Sequence, residues 1–131
     1  NFKEIEKKND DVIIYYNANI KEGLIGIIAA RLKEYFYKPA IVLTKSGSIL
    51  KGSARSINSY NIGRAIKNSR SKEIINGGGG HSMAAGFTLK KKNLNIFKKF
   101  ILNDFKNLKI KNKNIFYYDA EISPYAFNDD F

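Results

Sequence analysis

The sequence predicts an α/β domain, with a mixed sheet that contains a βαβ unit and is flanked by helices. Residues 12–16 and 40–44 are rich in β-branched, aromatic and aliphatic side chains, as is typical of strands. Between them, apolar residues within 25–36 recur at helical spacing. A strand, a helix and a strand in this order favour a right-handed parallel crossover. Pro39 is expected to end the helix, because the residue before a proline avoids helical geometry.

The rest of the chain continues this alternation of elements. Ser46, Gly47 and Ser48 indicate a turn. The patterns that follow predict a strand over 49–56, a helix over 61–69, a glycine loop at 77–80, a strand over 84–89, an amphipathic helix over 93–108 and a last strand over 115–122.

Length and composition indicate one compact domain. The chain has 131 residues, of which 44% are hydrophobic. It has no cysteine, which excludes disulfides and thiolate metal sites and is compatible with a reducing cytoplasm. No apolar run approaches the roughly 18 residues of a membrane helix, so we expect no membrane partner. Because the first residue is Asn1, we expect the chain to be a piece of a longer protein.

Positive charge is concentrated in the second half of the chain. The formal net charge is +11, and residues 38–113 contain 17 Lys or Arg against two acids, Glu73 and Asp104. Such a field favours a polyanionic partner, with nucleic acid as the first candidate. The abundance of Lys, Asn and Ile leaves an AT-rich coding bias as the alternative explanation.

The first candidate site is the run Gly77 to Gly80 and the single histidine after it, His81. Four glycines lose much backbone entropy on folding, which is tolerated where the backbone approaches a ligand or needs a positive φ. Loop N–H groups can bind an anion, and His81 can donate a hydrogen bond to a phosphate oxygen. This is neither a Walker loop nor a dinucleotide fingerprint, because no lysine follows the glycines and the loop precedes a strand. The alternative is a flexible turn with a surface histidine, and the lack of nearby carboxylate or cysteine partners predicts no metal site.

The second candidate site is the segment Lys-Gly-Ser-Ala-Arg-Ser at residues 51–56. Arg55 can hold a phosphate with two parallel N–H donors, and Ser53 and Ser56 can add neutral donors. The alternative is a surface strand with an ordinary arginine.

Two further features have a functional and a structural interpretation. The helix start near Gly23 and Gly26 can face an anion with its free N–H groups, but we prefer close helix–strand packing as the explanation for these glycines. Tyr60 has polar neighbours in sequence and is the best candidate among the tyrosines to stack on a base.

These segments, in this order, resemble the RecJ exonuclease family. Residues 22–32, EGLIGIIAARL, look like its E/P-G-V-I-G-I-V-A-x-R-L stretch, and residues 51–56 contain its G-S-A-R-S motif. Residues 79–86, GGHSMAAG, look like its G-G-H-x-x-A-A-G motif, and residues 39–43 resemble its R/K-P-x-I-V-L strand. The resemblance covers about residues 12–105, and the ordered set of motifs is specific.

The resemblance implies a DHH-family phosphoesterase that degrades single-stranded DNA from the 5′ end. Residues 1–11 would end an inter-domain linker, residues 12–110 would form the DHH-associated substrate-binding domain, and residues 111–131 would begin an OB-type domain. An amino-terminal DHH domain of the same protein would hold Mn²⁺ or Mg²⁺. We therefore expect no cofactor within this chain and no nuclease activity from the chain alone.

Carried over by position, Arg55 would bind a phosphate near the cleavage site. His81 would face the scissile phosphate in a supporting catalytic role, and Gly78, Gly79 and Gly80 would let the DNA strand approach. The sequence departs from the family at Lys21, where RecJ proteins commonly have a histidine, and lysine is not a near-neutral proton carrier.

Two other functions remain as alternatives. One is a DHH-type phosphodiesterase acting on oligoribonucleotides or cyclic dinucleotides, which would share the glycine-histidine segment. The other is a non-enzymatic nucleic-acid-binding module.

Overall fold

The computed structural model describes residues 3–122, with the side chains of residues 3–111. The described chain forms α1 (Lys3–Lys8), β1 (Ile13–Tyr16), a 3₁₀ turn (Glu22–Leu24), α2 (Ile25–Phe36), β2 (Ala40–Ser46), β3 (Ile49–Arg55), α3 (Ile62–Ser71), β4 (Gly77–His81), β5 (Ala84–Leu89), a second 3₁₀ turn (Lys91–Asn93) and α4 (Leu94–Ile122).

The five described strands form one mixed sheet in the order β1-β2-β3-β5-β4. β1 and β2 are parallel and are connected through α2, which confirms the predicted βαβ unit. All other neighbouring strands are antiparallel. The predicted α/β class, with a mixed sheet flanked by helices, is therefore confirmed.

One face of the sheet is covered by α2. The apolar stripe of this helix is buried against β1 and β2, as its spacing predicts. The helix ends at Phe36, since Tyr37 takes a left-handed conformation with φ of 51° and Pro39 follows two residues later. α2 contacts β2 and β3, whereas Gly79, His81 and Gly86 on β4 and β5 are exposed.

The opposite face carries the larger core, under α3 and α4. α3 lies against β4 and β5. The largest fully buried side chains of this core are Tyr60, Phe97, Ile41, Leu43, Leu50, Ile62, Ile66, Leu89 and Ile101, and Phe87 is nearly as buried. This side of the sheet is thus closed by packing, and the open part of the sheet lies on the other side.

The glycine segment is a strand, and the predicted loop is wrong. Gly77–His81 forms β4 at the edge of the sheet, and a two-residue turn connects it to β5. Main-chain pairing with β5 needs no side chains, so a run of glycines satisfies it where a neighbouring strand is supplied. Arg70 of α3 also binds this strand, because its Nη1 donates a hydrogen bond to the Gly78 carbonyl at 3.0 Å.

The predicted strand over residues 115–122 is wrong as well. α4 continues through this segment to Ile122. Its β-branched and aromatic content favours a strand, but no Gly or Pro lies between Leu94 and Ile122 to stop the helix. Residues 123–131 lie outside the described part of the chain, so the OB-type domain expected at 111–131 stays a prediction.

At the amino-terminal end, α1 is a six-residue helix with no buried residue. The inter-domain linker expected at residues 1–11 stays a prediction. Within residues 3–122, no helix combines the length and the apolar character needed to cross a membrane.

Candidate nucleic-acid interface

Strand register brings Arg55 and His81 to one face of the sheet. Arg55 of β3 is opposite Ala84 of β5, and Ala84 is opposite His81 of β4. Directly opposed residues of antiparallel strands point to the same face. Two strand spacings of about 4.8 Å place the Cα atoms of Arg55 and His81 about 10 Å apart.

The neighbouring row on this face has almost no side chains. Ser53 is opposite Gly86, which is opposite Gly79. A methyl group added to Gly79 would meet no atom within 4 Å, and one added to Gly86 would meet only the Gly52 carbonyl, at 3.9 Å. Gly77 is equally open. We call the surface formed by Ser53, Arg55, Gly77, Gly79, His81 and Gly86 the glycine face.

Neither packing nor backbone conformation explains the open glycines. Gly77, Gly79 and Gly86 have no left-handed φ, and the space above them is free. Their lack of side chains has one evident effect, which is to let another molecule come within van der Waals distance of the sheet backbone.

Gly78 and Gly80 have a different role. A methyl group on Gly78 would lie 2.5 Å from Phe87 Cβ, and φ of Gly78 is 145°, a value that side chains rarely allow. A methyl group on Gly80 would lie 2.6 Å from Ala85 Cα. These two glycines are required by strand packing. Of the three glycines predicted to let a strand approach, only Gly79 therefore offers open space on the glycine face.

The Arg55 guanidinium lies beside Ser53 and the start of α2. Its Nη1 donates hydrogen bonds to Ser53 Oγ at 3.0 Å and to the Ala54 carbonyl at 2.8 Å. Among the residues whose side chains are described, its Nη2 and Nε have no hydrogen-bond partner. The half-buried guanidinium is thus held on one side and keeps donors for a ligand on the other.

Gly26, in the first turn of α2, makes room for this arginine. A methyl group at Gly26 would lie 2.9 Å from Arg55 Nη2 and 3.3 Å from Ser53 Oγ. Close packing is therefore the role of Gly26, as the preferred interpretation of the sequence holds. The same interpretation is wrong for Gly23, where an added methyl group would meet nothing within 4 Å.

His81 is exposed, and its backbone is held from the opposite side of the sheet. Gly63 of α3 lies so close that a methyl group there would be 2.7 Å from the His81 carbonyl oxygen. The two turn residues after His81 accept backbone hydrogen bonds, Ser82 from Ile62 at 3.1 Å and Met83 from Ser56 at 2.9 Å. The backbone of His81 is therefore held in place at the end of β4, and its exposed side chain lies at the end of the glycine face.

Two residues singled out by sequence lie away from this face. The Ser56 side chain is buried and its hydroxyl donates to the Tyr60 carbonyl at 2.6 Å, so it is not presented to a phosphate. Tyr60 is also buried, packs edge-on against Phe105 and donates its hydroxyl to Asp104 Oδ2 at 2.7 Å. Burial, together with the neighbouring Asp104 carboxylate, raises the pKa of Tyr60. The stacking role predicted for Tyr60 is wrong, because polar neighbours in sequence do not report the direction of a ring.

An ion pair lies at the far end of the same sheet surface. Lys51 is opposite Thr88, and its Nζ is 3.5 Å from Glu22 Oε1. Ser46 Oγ donates to Glu22 Oε2 at 2.7 Å. This hydrogen bond is the main cause that holds the pKa of Glu22 below its ordinary value, and the charge of Lys51 adds to it. Glu22 is therefore ionised at neutral pH and offsets part of the positive field beside the glycine face.

In the part of the chain that is described, no three His, Cys, Asp or Glu side chains are grouped so that they could hold a metal ion. The donors on the glycine face are a guanidinium, a hydroxyl and an imidazole. Such donors fit an oxyanion.

Sequence reasoning alone misses Gly86 as part of the site. It includes Gly77 in the candidate segment but does not separate the open glycines from the packed ones, because a loop has no alternating faces. If residues 77–81 are taken as a strand, a period of two separates Gly77, Gly79 and His81 from Gly78 and Gly80. Gly86 lies within the G-G-H-x-x-A-A-G-like segment, which is the signal that points to it.

Known proteins match this chain in sequence and in fold. The profile of the DHHA1 domain matches residues 9–107. The single-stranded-DNA-specific exonuclease RecJ of Bacillus subtilis (strain 168) is 44% identical over 80 residues, which is 60% of this chain and 10% of that protein. The crystal structure of RecJ from Thermus thermophilus in complex with Mg²⁺ aligns with a TM-score of 0.66 and 22% identity, over 78% of this chain and 16% of that one. A pGpG-specific phosphodiesterase from Vibrio cholerae aligns with a TM-score of 0.54 and 16% identity, over 81% of this chain and 38% of that one.

The chain belongs to the DHHA1 domain family, since the family profile matches most of its length. Within the DHH superfamily it is a RecJ-type member, as the order of its motifs implies. It spans about a tenth of the length of the Bacillus subtilis relative.

Proposed function

We propose that the chain binds the phosphate backbone of single-stranded DNA on its glycine face, as the substrate-binding part of a RecJ-like exonuclease. One observation carries this proposal: Arg55 shares one face of the sheet with the glycines Gly79 and Gly86, above which the described chain leaves open space. The name of the Bacillus subtilis relative, which specifies single-stranded DNA, supports the choice of substrate.

The chemistry of the face suits a phosphodiester. The free donors on Arg55 Nη2 and Nε can bind two oxygens of one phosphate, as guanidinium groups do. The open space at Gly79 and Gly86 lets the phosphate come close to the sheet, so the contact is short. His81, about 10 Å away by strand spacing, can donate to an oxygen of the scissile phosphate. The chain thereby supplies positioning and charge neutralisation at the transition state.

Hydrolysis itself is assigned to another part of the protein. We assign the metal site to an amino-terminal DHH domain, whose residues would hold Mn²⁺ or Mg²⁺; the bound ions would supply an activated water for 5′-to-3′ cleavage of the strand. This is in keeping with the Mg²⁺ complex formed by the Thermus thermophilus relative. Residues 111–131 would lead into an OB-type domain that extends the DNA-binding surface.

A binding titration tests the proposal. A fluorescent single-stranded oligonucleotide is titrated with wild type, with Arg55→Ala and with Lys67→Ala, an exposed cation on α3 at the opposite side of the sheet. Loss of the charged hydrogen bonds of Arg55 removes about 1.5–3 kcal/mol of binding free energy, which weakens affinity by about 10- to 150-fold.

The control and the salt dependence decide the outcome. Lys67→Ala removes the same unit of charge and is expected to change affinity by less than about twofold. Affinity of the wild type should fall with rising salt, with a slope that is smaller by about one in Arg55→Ala. Equal losses of DNA affinity in the two variants would show that binding depends on net charge alone, and would reject the glycine face as the site.

The phosphodiesterase alternative is separated by substrate. The Vibrio cholerae phosphodiesterase shares the fold, and at 16% identity that likeness does not extend to substrate. A protein that contains this chain and its DHH domain should cleave long single-stranded DNA in preference to dinucleotides in the presence of Mn²⁺. The purified chain alone should cleave neither, and robust cleavage by it would contradict the assignment of hydrolysis to another domain.

A further inference from the structure

The loop over residues 56–61 adjoins both Arg55 and the turn that follows His81. It begins directly after Arg55, at the end of β3, and leads into α3. Its Ser56 N–H donates to the Met83 carbonyl at 2.9 Å, and the N–H of Ile62, the first residue of α3, donates to the Ser82 carbonyl at 3.1 Å. The loop and its exit therefore hold the turn that follows His81, while its start fixes the backbone of Arg55.

The loop has its own internal support, centred on Tyr60. The Ser56 hydroxyl donates to the Tyr60 carbonyl at 2.6 Å, and the Tyr60 N–H donates to the Ile57 carbonyl at 3.1 Å. The Tyr60 ring is buried, with 1% of its surface exposed. A buried phenol needs a hydrogen-bond partner, and Asp104 of α4 supplies it at 2.7 Å.

We propose that Asp104 is a positioning residue for the phosphate site, acting through Tyr60. The hydrogen bond between Tyr60 and Asp104 fixes the loop 56–61 against α4, and the loop fixes Arg55 and His81 relative to each other. Asp104 lies on the opposite side of the sheet from the glycine face, so its effect on the site is indirect. The proposal rests on the proposed function, because it concerns the geometry of the same site.

A double-mutant cycle distinguishes positioning from a general structural role. Tyr60→Phe removes the hydroxyl and keeps the ring, and Asp104→Ala removes the acceptor. Asp104→Asn keeps an oxygen that accepts from the tyrosine and serves as the conservative variant. Asn103→Ala, an exposed neighbour on α4, is the matched control. Each change is made in wild type and in Arg55→Ala, and affinity for a single-stranded oligonucleotide is measured at a temperature where urea unfolding shows every variant to be folded.

Tyr60→Phe and Asp104→Ala are expected to lower affinity about three- to tenfold in wild type and by less than about twofold when Arg55 is absent. Asp104→Asn and Asn103→Ala should bind as their parents do. Equal losses in both backgrounds, no loss in either, or a loss in Asp104→Asn as large as in Asp104→Ala would overturn the proposal. If Tyr60→Phe does not fold, the comparison of the two Asp104 variants decides in the same way.

Failure of the two proposals gives different results. Unchanged affinity in Arg55→Ala would reject the glycine face as the binding site. A large loss in Arg55→Ala together with wild-type binding by Tyr60→Phe and Asp104→Ala would reject only the positioning role.

Discussion

The sharpest perturbation of the glycine face is the addition of single methyl groups. Gly79→Ala and Gly86→Ala place a methyl group in open space, with no left-handed φ to strain. Alanine loses less backbone entropy on folding than glycine, so the free energy of unfolding should stay equal or rise by up to about 0.5–1 kcal/mol. Both variants should therefore fold normally.

The affinity of both variants for single-stranded DNA should fall, although their stability does not. An added methyl group extends above the sheet backbone of the glycine face by about 1.5 Å, the length of a C–C bond. A phosphate that approaches Arg55 with donor–acceptor distances near 2.9 Å would be pushed beyond about 3.6 Å, where a hydrogen bond is no longer formed. The loss of about 1.5–3 kcal/mol for a charged hydrogen bond corresponds to about 10- to 150-fold weaker affinity.

The assay pairs urea unfolding with a fluorescence titration of single-stranded DNA. Gly78→Ala is the control for the opposite face of the same strand, since its methyl group would meet Phe87 Cβ at 2.5 Å and its φ is 145°. That variant should lose about 1–3 kcal/mol of unfolding free energy. Wild-type affinity in both Gly79→Ala and Gly86→Ala would refute the reasoning, because no ligand backbone would then approach this surface.

Two further predictions concern the residues around Arg55 and Lys51. Gly26→Ala places a methyl group 2.9 Å from the flexible end of Arg55, so DNA affinity should fall about tenfold. A melting curve should show unchanged or higher stability, because alanine favours a helix more than glycine does. Retained affinity would show that the position of the guanidinium is unimportant for binding. Glu22→Gln removes a negative charge 3.5 Å from Lys51 and should raise DNA affinity at pH 7 by about two- to threefold. Because the pKa of Glu22 is lowered in the folded chain, its stabilising effect is present above the ordinary value of 4.5 and is lost as pH falls through the lower folded value. The difference in Tm between wild type and Glu22→Gln should therefore be full above pH 4.5 and shrink as the pH falls below it, and a difference that does not shrink would exclude this carboxylate as its source.

Much of the fold follows from local pattern. The βαβ unit is predictable because the strands at 13–16 and 40–46 are apolar and α2 has one clear stripe. The start of α4 is predictable for the same reason. Its end is not, since residues 109–122 contain strand-favouring side chains but no Gly or Pro that would stop the helix.

The candidate site is predictable only in part, because its central strand has no side-chain pattern. Residue type and motif order point to Arg55 and His81, whose register the structure then supplies. They do not distinguish Gly79 from Gly78, because that difference depends on Phe87 in the neighbouring strand. Ser53 and Ser56 differ because side chains alternate along β3: Ser53 shares the face of Arg55, whereas the residue directly after Arg55 is directed to the other face, where Ser56 is buried.

A strand of glycines has a consequence for how the sheet is aligned. In an ordinary strand, sliding by one residue would exchange apolar and polar sides, and the sequence itself opposes the slip. β4 lacks that safeguard, so its alignment is set by groups outside it: the Asn76 N–H on the Thr88 carbonyl at one end, and Gly63 against His81 at the other. A slide of one position would carry His81 out of line with Arg55. By contacting the end of this strand, α3 therefore also maintains the register between the two residues of the proposed phosphate site.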